Sequence, residues 1–261
     1  MTNCLRTILI AAWVLMAFPA VVGAGGPFGP PQPATTPESG LHTAIGYWRQ
    51  QGVFTNAAET LMQQNQVYSE AGYGFGDRWE VTARLGLSDL RMVDFFNSYS
   101  ASTSTSKQDF TEGWKFFATL GAKYFLPLDS VWGVGAFVQG TYYFSDFSDN
   151  VQVTAGGATT IVETALKDLR DINVGAVIQA ALPGDAKLFA GPCICYSEAT
   201  LFASTAPAGL GFAAGDERIR NKRLLGGFAG AEVELAKGFR LNVEARYAER
   251  LSAGAAVTYV Y

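Results

Sequence analysis

From about residue 41 to the end of the chain, apolar and polar residues alternate with a period of two. The clearest stretch is Trp79-Glu80-Val81-Thr82-Ala83-Arg84-Leu85-Gly86-Leu87, where Val81, Ala83, Leu85 and Leu87 fall on one side and Glu80, Thr82 and Arg84 on the other. The pattern returns in Phe239-Arg240-Leu241-Asn242-Val243-Glu244-Ala245-Arg246-Tyr247. Side chains i and i+2 share a face only in a strand, so each stretch predicts a β-strand with one apolar and one polar face. Ten such strands are predicted, near residues 41–49, 65–76, 79–89, 113–126, 131–146, 168–182, 186–199, 223–236, 238–249 and 253–261. The first is the weakest, and without it and one partner the count falls to eight.

The links between these strands alternate in length. Short ones fall at Gly76-Asp77-Arg78, Pro127 to Ser130, Pro183-Gly184-Asp185 and Lys237-Gly238; long polar ones fall at 91–112, 148–166 and 201–222. Tight turns at one end and long loops at the other are the pattern of an outer-membrane barrel. The expected fold class is therefore all-β, a transmembrane antiparallel up-and-down β-barrel over 41–261. Short turns would face the periplasm and long loops the outside.

Composition narrows the compartment. Apolar residues make up 49% of the 261 and charged residues 16%, against about 25% charged in an ordinary soluble domain. Arg6, the apolar run Ile8 to Val22 and the small residues Val22-Gly23-Ala24 read as a secretory signal over 1–24, cut after Ala24. Cys4 lies too early to be a lipoprotein cysteine. Beyond the signal no apolar run reaches 18 residues, so no transmembrane helix is expected there. In lipid only a closed barrel satisfies the backbone of strands. Residues 25–40, rich in glycine and proline, read as a disordered or polyproline-like periplasmic leader. Loss of Arg6 leaves 18 basic residues against 23 acidic ones, a net charge of −5, which excludes a basic nucleic-acid footprint.

The hairpin Tyr73-Gly74-Phe75-Gly76-Asp77-Arg78-Trp79-Glu80-Val81 resembles the first periplasmic turn of small Gram-negative outer-membrane proteins, and the final hairpin from Leu241 resembles their closing one. The end, Val257-Thr258-Tyr259-Val260-Tyr261, looks like the C-terminal signal read by the barrel-assembly machinery, with Tyr259 and Tyr261 as its aromatic positions. The class includes OmpA-like scaffolds, OmpW-like small channels and a few enzymes, so the resemblance implies an architecture and leaves the activity open. It implies a cell-outer-membrane location. The partners it implies are outer-membrane lipid, lipopolysaccharide and the assembly machinery. A monomer with no cofactor, no metal and no nucleic acid is expected.

With Tyr261 facing lipid, period two turns Tyr73, Phe75, Phe116, Leu120, Tyr124, Trp132, Val138, Tyr142 and Tyr259 outward. It turns Glu70, Glu80, Arg84, Lys115, Lys123, Asp171, Lys187, Glu232, Glu234, Arg240, Glu244 and Arg246 inward. Six acidic and six basic residues predict pairing across a filled interior rather than a selective pore, which favours one sign. Inward glycines such as Gly72, Gly86, Gly121, Gly133 and Gly175 are expected to leave room for the long basic side chains. A structural or surface-interaction role follows, with a narrow solute channel as the alternative and an enzyme as the third class. Catalysis finds little footing. The one histidine, His42, begins the first strand at the periplasmic end, whereas outer-membrane proteases and acyl-transfer enzymes use a histidine near the outer rim. Cys193 and Cys195 share a face and lack further soft ligands, which points to a strained disulfide or two inert thiols. Pro192 is expected to raise a local bulge.

Overall fold

The computed structural model describes residues 26–34, 40–55, 59–97, 102–205 and 213–261. The expected signal over 1–24 lies outside them. Thirteen strands follow in order: β1 (Leu41–Thr55), β2 (Glu59–Phe75), β3 (Trp79–Val93), β4 (Thr103–Thr105), β5 (Phe110–Pro127), β6 (Trp132–Tyr143), β7 (Phe147–Ala155), β8 (Ala158–Leu182), β9 (Ala186–Ala203), β10 (Gly215–Asn221), β11 (Leu225–Ala236), β12 (Phe239–Tyr247) and β13 (Leu251–Val260). Ten of them, β1, β2, β3, β5, β6, β8, β9, β11, β12 and β13, pair antiparallel in chain order. The pairing β13–β1 closes the ring, with His42 opposite Val260 and Arg49 opposite Ala253. The fold is an all-β, antiparallel up-and-down barrel of ten strands.

Alternation builds the wall. On β3 the outward residues Trp79, Val81, Leu85 and Leu87 are exposed while the inward Glu80, Arg84 and Ser88 are buried. An outer face of exposed Ile45, Leu120, Val138, Ile172 and Ile178 suits lipid, and Tyr73, Phe75, Trp79, Trp132, Phe239, Tyr259 and Tyr261 ring the short-turn end. The short turns are chemically marked. Gly184 and Asp185 both take positive φ, at 80° and 57°, which the tight β8–β9 hairpin requires. The exposed Asp129 carboxylate accepts the N–H groups of Val131 and Trp132, each at 2.7 Å. Those two donors hold its pKa below the usual carboxylate range.

The three remaining strands lie within the links expected to be long loops. Instead of loops, β3, β5 and β8 run on past the apolar band, where β7 pairs with β8 and β4 pairs with β7. β10 pairs with β9 on one edge and with β1 on the other, Phe54 opposite Asn221. It thus bridges the gap left above the shorter β11, β12 and β13. One strand replacing three shortens the circuit from ten strands to eight, a size at which side chains alone fill the interior. They do: Trp48, Phe54, Met62, Leu90, Met92, Phe96, Phe110, Phe117, Tyr143, Phe147, Leu166 and Leu169 form one buried cluster there.

Two further expectations are corrected. No bulge forms at Pro192, because the β8–β9 register is the same on both sides, at Gly175–Cys193 and Ile178–Ala190. Pro192 points its ring outward, and the irregularity falls at Asp168, which has a φ of 52°. The inward glycines make room for rings rather than for Arg and Lys. A Cβ on Gly175 would meet the Phe137 ring at 2.3 Å, one on Gly133 the Phe125 ring, and one on Gly72 the His42 ring.

Candidate functional site in the barrel lumen

The lower lumen, toward the short turns, is occupied by the chain's own leader. Residues 26–34 are almost wholly buried inside the ring, not free in the periplasm as the composition suggested. The segment is suited to a dry interior because Pro27, Pro30, Pro31 and Pro33 carry no N–H to satisfy. Its remaining polar groups find partners on the wall. The Glu244 carboxylate accepts the N–H groups of Phe28 and Gly29, both at 2.9 Å. Glu80 accepts the Ala34 N–H at 2.7 Å, and Arg240 donates to the Ala34 carbonyl at 2.8 Å. Lys123 donates to the Pro30 carbonyl, and Gln179 bonds Gln32.

Phe28 anchors the segment. Its ring stacks on Phe137 at 3.7 Å between centroids and meets Phe228 edge-on at 5.1 Å. The Arg246 guanidinium lies 4.7 Å from the same ring and 5.1 Å from that of Trp48. Cys193 and Cys195 belong to this cluster as free buried thiols, 3.6 Å apart, with Arg246 3.8 Å from the Cys195 sulfur. A cavity of about 30 Å³ remains between leader and wall, space for a water or two. A concavity of about 590 Å³ lies elsewhere, between Ile45, Leu85, Phe239 and Val257 on the lipid-facing wall. It brings no chemistry together.

Most of the charges read as inward meet in this lower half. Arg84 pairs with Glu70, Lys123 with Glu80 at 2.6 Å, and Glu232 with both Lys187 at 2.9 Å and Arg240 at 3.7 Å. His42 is buried between them, 3.4 Å from Glu70 and 3.8 Å from Glu80. Glu244 spends its oxygens on the leader, and Arg246 lies against rings, the Asn173 side chain and the Gly26 carbonyl. Asp171 makes no ion pair within 4 Å among the described residues; the Tyr143 hydroxyl donates to it at 3.5 Å, and the Arg246 charge acts on it across the lumen. Lys115 sits higher, beside Glu112. Glu234 departs from the reading: it is exposed next to the irregularity that precedes the β11–β12 turn, so it is no part of the interior. Tyr259 and Tyr261 face outward at the short-turn end with ring centroids 4.9 Å apart. Among the described residues no group of three or more His, Cys, Asp and Glu is placed to hold a metal ion.

Sequence reasoning missed the leader's place because the partners that satisfy it, such as Glu244 and Phe137, lie more than a hundred residues away. The available signal was Phe28, a single large ring within an otherwise small and proline-rich stretch.

No protein-family model matches the chain, and no curated protein matches its sequence. Solved structures of similar shape include the translocator domain of the autotransporter NalP from Neisseria meningitidis, at 14% identity over 85% of this chain and 89% of that one, with a TM-score of 0.46. The outer membrane protease OmpT from Escherichia coli shares 10% identity over 87% and 98%, with a TM-score of 0.46. The neisserial surface protein A shares 13% over 84% and 97%, with a TM-score of 0.31. At these values the assignment of the fold stands on the strand pairing itself.

Proposed function

We propose that this protein is an integral, monomeric barrel of the Gram-negative outer membrane, closed to solutes, with a structural or surface-interaction role. The observation that carries the reading is the double filling of the lumen. An apolar cluster occupies the outer half, and residues 26–34 with their paired charges occupy the periplasmic half. A conducting pore needs a continuous wet path, and neither half offers one. Opposite charges that neutralise each other in pairs also give no field to select an ion.

The wall above the apolar band supports a surface role. Arg170 and Arg218 converge there on Glu198 on the outward face, half exposed or more, beside the Lys167–Asp216 pair. Cations at this height suit the phosphate groups of outer-leaflet lipid and lipopolysaccharide. The barrel-assembly machinery is the proposed reader of Tyr259 and Tyr261. An enzymatic reading has no support from His42, which is buried between two carboxylates at the periplasmic end.

Planar-bilayer recording of the refolded protein tests the closed reading. The expected result is an unchanged baseline. Steady unitary conductance would overturn it in favour of a narrow channel.

A further inference from the structure

On the outward face of β8, β9 and β10 the strand registers build a grid of charge. Lys167, Thr200 and Arg218 stand opposite one another in one row, and Arg170, Glu198 and Arg220 in the next. The two rows share a face because β8 bulges. Three steps of β8, from Lys167 to Arg170, match two steps of β9, from Thr200 to Glu198, and Asp168 between them has a φ of 52°. In a regular strand residues three apart point to opposite faces. The extra residue re-aims one of them, so both cations face outward. At the centre Glu198 is 5% exposed, covered by Arg170 at 2.6 Å, Arg218 at 2.5 Å and the Tyr196 hydroxyl, which donates to it. Lys167 is held beside them by Asp216 at 3.1 Å and lies 4.2 Å from the centre of the Phe202 ring. Arg220, exposed, completes the fourth corner.

The grid has donors to spare. Its four cations meet two carboxylates, Glu198 and Asp216. A guanidinium carries five N–H donors, and Glu198 takes only part of those of Arg170 and Arg218, whose side chains are 52% and 68% exposed. Glu198 thus fixes two planar forks side by side with its own oxygens already occupied. Directly below come Ile172 opposite Tyr196, then Val174 opposite Ile194, with Leu225 beside Ile194 on β11. Ile172, Val174, Ile194 and Leu225 are all exposed, so the cations stand at the upper margin of the apolar wall. A ligand that fits both has an anionic head and a hydrocarbon body. We propose that the grid is a binding site for the phosphate-monoester head of an outer-leaflet lipid, whose acyl chains lie along Ile172, Val174 and Ile194. A monoester offers three strong acceptor oxygens and nearly two negative charges, which lets one group receive donors from both forks; a diester offers two free oxygens and one charge. The inference deepens the surface role proposed above and rests on it.

The refolded protein, its folding checked by heat-modifiable migration, is titrated in zwitterionic micelles with phosphatidic acid or with phosphatidylglycerol of the same acyl chains, and bound lipid is counted by native mass spectrometry. One phosphatidic acid is expected to bind roughly tenfold more tightly than phosphatidylglycerol. Arg170→Gln with Arg218→Gln is expected to abolish that preference. Because this variant strands Glu198, Lys167→Gln with Arg220→Gln serves as the second; it leaves both Glu198 pairs in place and should weaken phosphatidic acid severalfold. Arg91→Gln with Arg250→Gln, two exposed cations elsewhere, should change nothing. Equal binding of the two lipids, unchanged affinity in both grid variants, or an equal loss in the control pair overturns the proposal. Displacement of phosphatidic acid by an equimolar amount of inorganic phosphate would show a site for free phosphate and overturn the lipid assignment. A barrel that conducts in a planar bilayer yet keeps the preference overturns the closed reading alone, and a silent barrel without the preference overturns the site alone.

Discussion

Phe28→Ala isolates the leader from the wall, because residue 28 belongs to no strand. The ring is 3% exposed, stacked on Phe137, edge-on to Phe228 and capped by Arg246. Truncating a fully packed Phe costs about 3–5 kcal/mol, and here the loss falls on docking alone, since the undocked segment loses nothing. Each 1.4 kcal/mol is a factor of ten, so the undocked population should rise by roughly two to three and a half powers of ten. Labelling of Cys193 and Cys195 by a water-soluble methanethiosulfonate reads that population while opening and closing outpace the reagent. The barrel itself should keep its heat-modifiable migration. Gln32→Ala serves as a weaker companion. It removes one neutral hydrogen-bond pair with Gln179 near the periplasmic mouth, worth about 1 kcal/mol, and should speed labelling only severalfold. An acceleration below threefold for Phe28→Ala would refute the argument that this ring holds the segment.

Glu80→Gln strands the buried Lys123 ammonium and should cost about 3–5 kcal/mol in urea unfolding from vesicles, whereas Glu80→Gln with Lys123→Met should recover most of it; additive losses would show that the pair is wet and screened. Gly175→Ala drives a methyl group into the Phe137 ring and the Pro192 carbonyl, so it should destabilise by about 1–3 kcal/mol, with Phe137→Leu restoring part of the loss; a neutral Gly175→Ala would mean that the ring has another place to go. Deletion of Tyr261 should slow insertion and raise periplasmic degradation, read as a smaller heat-modifiable fraction in cells, and an unchanged fraction would show that assembly reads another segment.

The wall was legible because its physics is local. Lipid outside and a filled lumen inside impose period two on every strand, and residues such as Val81, Leu85 and Arg84 carry that period openly. The short turns were legible through Gly184-Asp185 and Gly238. The three outer strands were not, since Ser and Thr around Thr103–Thr105 and the charges of β10 read as loop; Val151 and Val153 on β7 were a period-two signal too short to stand alone. The division of the interior was hidden for a different reason. Inward Leu90, Met92 and Leu166 break the polar-inside rule, and only the change in circumference at β10 explains why they are dry. The leader was misread because its composition reports how it behaves without partners, and Glu244, Glu80 and Arg240 supply them.

The leader is joined to its own receptor through residues 35–39, which lead directly into Gly40 and β1. Docking is therefore a unimolecular event, governed by an effective concentration on the order of millimolar for so short a tether. A site that would hold a free peptide only weakly stays occupied when the peptide is attached. A soluble competitor must overcome that local excess whatever its intrinsic affinity, and diluting the protein leaves the occupancy unchanged.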